Sequence, residues 1–219
     1  EPYRRQRQMC IRDRWKDEFL QNLPALWYDM GEKTGRVRTQ YMEHLTDLVY
    51  SCFSGQVGKW CSDHGVEYIG HIIEDDNAHT RLACSIGHYF KEMKGQHMAG
   101  VDVVHHQIVP GFTGKIHQWI AGDSDGEFFH FGRAKLASSA AHLDPKKKNR
   151  ALCEIFGNYG WAEGVSFMKW LTNHMLVRGI NEFTPHAFSM TYPDRDCPPH
   201  FYACLLYTSP SPRDGATSR

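Results

Sequence analysis

The chain has 219 residues, 41% hydrophobic, 13% aromatic and 23% charged, with 25 Lys+Arg balanced by 25 Asp+Glu. A domain of that size buries a substantial core without disulfide or metal staples, and its apolar content is too high for a disordered chain. The mean hydropathy of −0.54 argues against a membrane-spanning protein, and seven cysteines without a CxxC pair argue against a disulfide framework or a Cys-rich zinc site.

The two ends differ from the rest. Residues 1–14 (EPYRRQRQMCIRDR) are mostly Arg, Gln and other polar types without a period, and residues 204–219 (CLLYTSPSPRDGATSR) turn abruptly to Ser, Pro and Thr. The strings QMCIRDR and LLYTSPSPRD resemble translated sequencing-adapter read-through of the kind that flanks metagenomic reading frames, so both ends are expected to lie outside the fold. The alternative is a pair of natural disordered tails. Residues 15–203 then form one domain, with 18 Lys+Arg against 22 Asp+Glu and a net charge of −4. A mildly acidic body without a basic stripe argues against a nucleic-acid partner, and the lysine run at 146–148 reads as a solvated turn.

In chain order, residues 23–28 (LPALWY) read as a short strand ending at Asp29. Residues 38–62 follow a helical period, with Tyr41, Leu45, Leu48, Val49, Cys52, Phe53, Val57 and Trp60 on one side, stopping near His64-Gly65. Residues 66–73 (VEYIGHII) read as a strand closed by Glu74, Asp75, Asp76 and Asn77, and 80–94 as a helix closing at Gly95. A strand over 101–109 (VDVVHHQIV) precedes a Gly- and Asp-rich loop and a helix over 127–142. A strand over 150–156 (RALCEIF), a helix over 162–178 and a strand over 180–188 complete the series.

This alternation predicts parallel βαβ units and an α/β fold. Neither GxGxxG after the first strand nor GxxxxGK[ST] occurs, so a nucleotide-binding sheet would lack its phosphate cradle. Polar residues instead collect at strand ends: Asp29, Glu74 to Asn77, His105, His106, Gln107, Glu154 and His186. Such ends form the active-site mouth of a (β/α)8 barrel, which takes about 250 residues. With five strand candidates, the expectation is part of a TIM-type barrel, incomplete at both ends.

Glu74 directly follows an apolar strand, and Glu154 lies inside ALCEIFG. A carboxylate embedded in an apolar strand is costly unless paired or protonated. Two of them at one barrel mouth are what glycoside hydrolysis requires, with separations of about 5–5.5 Å for retention and about 6.5–9.5 Å for inversion. The plainer reading makes each Glu a salt-bridged strand end near Arg81 or Arg178. Trp27, Tyr28, Tyr159, Trp161, Phe188 and Tyr192 fall at or after strand ends, where a ring could stack on a sugar, whereas Trp60, Phe167 and Trp170 lie on helical apolar faces and read as core. His71, His79, His105, His106 and His186 are hydrogen-bond candidates for sugar hydroxyls. A rival metal site would draw on His71, Glu74, Asp75, Asp76 and His79, with His105 and His106 from the next strand, although HExxH is absent. No GxSxG appears for serine chemistry.

The segments EYIGHIIEDDNAH, GVDVVHHQIVPG, ALCEIFGNYGW, MKWLTNHMLVRGIN, PHAFS and DCPPHF resemble a group of bacterial (β/α)8-barrel glycoside hydrolases, α-L-rhamnosidase-like or family 2-like. The similarity covers most of residues 20–203 and is most specific over 151–201. It implies hydrolysis of O-glycosidic bonds in an oligo- or polysaccharide, with Glu74 and Glu154 as the catalytic pair. His71, Asp75, His106, Tyr159, Trp161 and His186 are then the substrate-binding residues. In a retaining enzyme Glu154 would be the nucleophile and Glu74 the acid/base; in an inverting one Glu74 would be the acid and Glu154 the base. Some relatives hold a calcium ion near the site, for which Asp75, Asp76 and Asn77 are candidates; no other cofactor is implied. Relatives are larger and carry further strands and domains, so turnover by this chain alone is not expected. A metal-dependent hydrolase on the same fold and a non-catalytic carbohydrate-binding barrel are the alternatives.

Overall fold

A computed structural model describes residues 21–72, 88–118, 122–157, 159 and 164–186. The fold is α/β, with a three-stranded parallel sheet at its centre. In chain order the elements are α1 (Lys33–Val49) and α2 (Gly55–Asp63), joined by a π-helical turn at Tyr50–Ser54, then α3 (Tyr89–Glu92), β1 (Ala99–Val104), β2 (Lys115–Gln118) and β3 (Gly122–Asp125). After these come α4 (Arg133–Leu143), preceded by a π-helical turn at Phe128–Gly132, β4 (Ala151–Gly157), α5 (Gly164–Leu176) and β5 (Glu182–Pro185).

β1, β4 and β5 lie side by side in that order, all parallel, with α4 between β1 and β4 in sequence and α5 between β4 and β5. One face of the sheet carries Val101, Val103, Cys153 and Ile155 and belongs to the apolar core. Ala134, Ala137, Ala140 and Ala141 of α4 and Met168, Leu171 and Met175 of α5 join the same core. The alanine face lets α4 approach closely, and the 168, 171, 175 spacing is a single helical stripe. The two βαβ units therefore form where the sequence pattern places them.

Several expectations need correction. Residues 23–28 are not a strand: Leu23–Leu26 is a 3-10 turn with Pro24 in its first turn. Asp29 is not at a strand end either. Its Oδ1 accepts from Gly31 N at 2.9 Å and Thr34 Oγ1 at 3.1 Å, which organises the entry to α1 and lowers the Asp29 pKa. Residues 66–72 form no strand ladder among the described residues; the segment is anchored by His97 N donating to Tyr68 O at 2.7 Å. The strands expected over 101–109 and 180–188 are shorter, Ala99–Val104 and Glu182–Pro185, and the Gly- and Asp-rich loop contains the antiparallel β2–β3 hairpin. No closed barrel is seen among the described residues.

The long helix expected over 38–62 exists as α1, the π turn and α2, but its buried face differs. Val37, Thr46, Ser54, Gly58 and Cys61 are buried, while Cys52 and Phe53 are exposed. Trp60, expected in the core, is 57% exposed and stacks on His64 at 4.0 Å. A π turn adds a residue to the helical repeat and rotates the next turns about the axis, so the 3.6 period is broken at 50–54. The lysine run is not wholly solvated: Lys147 is 1% exposed, and its Nζ donates to Met93 O and Gln96 O and pairs with Asp144. This ties the end of α4 to the turn before β1. No helix among the described residues is long and apolar enough to cross a membrane.

Glu92 is buried beside this turn, and its Oε2 has no hydrogen-bond partner among the described residues. Burial raises its pKa, partly offset by Ser54. A carboxyl whose folded pKa lies above its unfolded value favours folding at low pH, and that contribution is lost as pH rises through the folded value. Glu92→Gln is therefore expected to raise stability by about 1–2 kcal/mol near neutral pH and by nothing near the bottom of the carboxylate range. Urea unfolding of both proteins at the two pH values checks this, and an equal gain at both would refute it.

Candidate active site

β1 and β4 each carry one residue that is not fully buried, Asp102 and Glu154, in otherwise buried strands. Their register pairs Ala99 with Ala151 through Val103 with Ile155, so Asp102 lies directly beside Glu154, and Thr184 of β5 lies beside Glu154 on the other side. Registered neighbours in a parallel pair share a face, and this face is opposite the helices. It is the polar face of the sheet.

The register slips after Val103, because Val104 pairs with Gly157. Phe156 is the extra residue, a buried aromatic with φ +77°. A non-glycine residue in that region is strained by about 1–3 kcal/mol and commonly marks a functional strand end. Beside it, a Cβ on Gly157 would lie 2.6 Å from Val104 Cγ1 and 3.2 Å from His186 Cγ. Glycine at 157 thus lets the His186 ring close over the end of β4. His105 and His106, at φ +56° and +57°, make the turn that ends β1, closed by Gln107 N donating to Val104 O at 3.1 Å.

Segment 66–72 brings His71 to Glu154, with Nε2 3.0 Å from Oε2. His71 Nδ1 lies 2.9 Å from Ile72 O. A peptide oxygen and an ionised carboxylate are both acceptors, so the imidazolium form, donating at each nitrogen, satisfies both contacts. His186 Nε2 lies 3.8 Å from Oε1, outside hydrogen-bond range. The hydrogen bond from His71 is the main cause that lowers the Glu154 pKa; burial opposes it, the charges of His71 and His186 lower it further, and Asp102 raises it. Glu154 is thus an ionised carboxylate with one oxygen held by His71 and the other turned toward His186, the state required of a nucleophile or base.

Asp102 is held in turn. Arg133, fully buried at the start of α4, places Nη2 2.7 Å from Asp102 Oδ1, donates to Gln107 Oε1 and lies over the Phe129 ring at 5.0 Å. Asp102 was legible by the signal that marks Glu154, an acid inside an apolar strand (VDVV), but Arg133 carries no local signal.

Of the other expected site residues, His106 packs on Tyr159 in a tilted arrangement, with ring centroids 4.7 Å apart and 39° between the planes. Partial burial and the neighbouring His105 lower the His106 pKa. Tyr159 is buried, with its hydroxyl at Ile108, so it supports the His106 ring rather than offering an open face. His71, Glu154 and His186 come together. Glu74, Asp75 and Trp161 lie outside the described residues, as do Arg81, Asp76, Asn77, His79, Phe188 and Tyr192, so the Glu74–Glu154 separation does too. Arg178 is not the partner of Glu154: it donates to His174 O at 2.8 Å and faces the Phe131 ring.

One other pair imitates a catalytic dyad. Ser62 Oγ lies 2.9 Å from His97 Nε2. But His97 Nδ1 accepts from Tyr68 N at 2.9 Å, so in the neutral ring Nε2 bears the proton and donates to Ser62. The Ser62 hydroxyl in turn donates to Gly58 O at 2.9 Å. This polarity is opposite to what a nucleophilic serine needs.

The chain matches no known protein family, no curated protein and no solved structure.

Proposed function

We propose that residues 15–203 derive from the catalytic domain of a glycoside hydrolase, that β1, β4 and β5 are successive strands of a (β/α)8 barrel, and that Glu154 is the nucleophile or base at its mouth. The observation that carries this reading is the Glu154 carboxylate, held ionised by His71 on the polar face of a parallel sheet with its Oε1 toward His186. The sequential strand order with a helix between each pair supports the barrel. In this reading Glu74 supplies the proton to the leaving oxygen, and an oligo- or polysaccharide is the substrate.

A carboxylate that stabilises an oxocarbenium-like transition state also binds cationic mimics of it. A panel of iminosugars, titrated into the chain by calorimetry, is expected to contain a ligand whose affinity falls tenfold or more in Glu154→Gln, a loss of about 1.4 kcal/mol. If no iminosugar binds, or the variant binds equally well, the reading fails. The measurement does not depend on turnover.

A further inference from the structure

We propose that Asp102, clamped by Arg133, is a positioning residue that tunes Glu154 electrostatically from the neighbouring strand. The inference rests on the Glu154 site proposed above, but its readout needs no sugar, so the two can fail separately. Cross-strand register puts the two acids side by side on one face, and adjacent strands are about 4.8 Å apart. Like charges carried side by side on neighbouring strands interact appreciably when partly shielded from water, and Asp102 is among the charges that act on Glu154.

The groups that bear on Glu154 come from every element around it. His71 of segment 66–72 and His186 after β5 favour its ionised form. Asp102 of β1 opposes them. Glu182 of β5 registers with Leu152, two residues back along the strand from the Glu154–Thr184 pair on the same face, and Thr184 is uncharged. With only the two histidines, Glu154 would be ionised but a poor base, because its basicity falls with its pKa. Asp102 restores part of it. Arg133 keeps Asp102 from taking the proton itself, and its contacts with Gln107 and Phe129 fix the direction in which the Asp102 carboxylate points.

The test is a carbon-13 NMR titration of the Glu carboxyls in the whole chain, with the Glu154 signal assigned from Glu154→Gln. In Asp102→Asn the Glu154 midpoint is expected to fall by about half to one pH unit, and Asp102→Glu is expected to restore most of it. An unchanged or raised midpoint in folded Asp102→Asn would overturn the proposal, since a purely structural ion pair would leave Glu154 where it is. If Asp102→Asn does not fold with Arg133 left unpaired, Asp102→Asn/Arg133→Met takes its place. A smaller fall in the same direction is then expected, because Asp102 and not Arg133 is among the charges that act on Glu154, and no fall would again overturn the proposal.

Discussion

Arg133→Met is expected to cost about 3–5 kcal/mol of folding stability, the scale found when one partner of a buried ion pair is removed. The guanidinium is fully buried, pairs with Asp102 at 2.7 Å, shares Gln107 Oε1 with the Val104 amide and covers the Phe129 ring. Methionine fills much of the volume but leaves Asp102 without its countercharge in a site that is only 15% exposed. The penalty then comes from the abandoned carboxylate rather than from lost packing, and the double variant separates the two. Asp102→Asn/Arg133→Met removes both charges and is expected to recover a large part of the loss, as replaced ion pairs often do. Urea unfolding of the wild type, both single variants and the double variant checks the cycle. A cost below about 1 kcal/mol for Arg133→Met would show that the pair is effectively solvated.

Much of the sheet is legible in the sequence because the strands announce themselves by composition. VDVV is β-branched and ALCEIFG apolar, and each breaks its pattern with one acid, which is where the structure places the polar face. Helices α4 and α5 carry continuous stripes, and short connections force neighbouring parallel strands. Pattern fails where local composition and three-dimensional setting diverge. VEYIGHII has strand composition, but as far as residue 72 it forms no ladder: its backbone lies against Gly100 and its polar residues serve as tethers. Glu67 there forms a two-pronged pair with Arg150, at 2.8 and 2.5 Å. The buried face of the long helix escapes a periodic reading because a π turn has no sequence signature comparable to a proline. For the site, Glu154 interrupts an apolar strand and His186 directly follows one, so both can be found by pattern. The His71 contact spans 83 residues and Arg133–Asp102 joins a helix start to a neighbouring strand; no spacing rule reaches either.

Gly100→Ala is expected to destabilise the fold by about 2–3 kcal/mol and to separate His71 from Glu154 in the same step. A Cβ at Gly100 would lie 1.8 Å from Gly70 O and 2.6 Å from Gly70 C, with His71 N at 3.2 Å. These are backbone atoms, which cannot rotate away as a side-chain tip would. Gly70 has φ +152°, a conformation that side-chain-bearing residues rarely adopt, so the segment has little freedom to re-form one residue along. The added methyl therefore lifts segment 66–72 off the sheet and carries His71 with it. The hydrogen bond from His71 is the main cause that lowers the Glu154 pKa, so the Glu154 carboxyl is expected to titrate at higher pH in this variant. A depressed folded pKa contributes stability above the unfolded value and loses it as pH falls through the folded value. The destabilisation by Gly100→Ala is accordingly greater near neutral pH than in acid. Gly35→Ala is the control: Gly35 lies on α1, where an added Cβ would meet nothing within 4 Å, and alanine there should be neutral or stabilising by up to about 1 kcal/mol. If Gly100→Ala behaves like Gly35→Ala, segment 66–72 does not rest on β1, and the His71–Glu154 contact loses its structural basis.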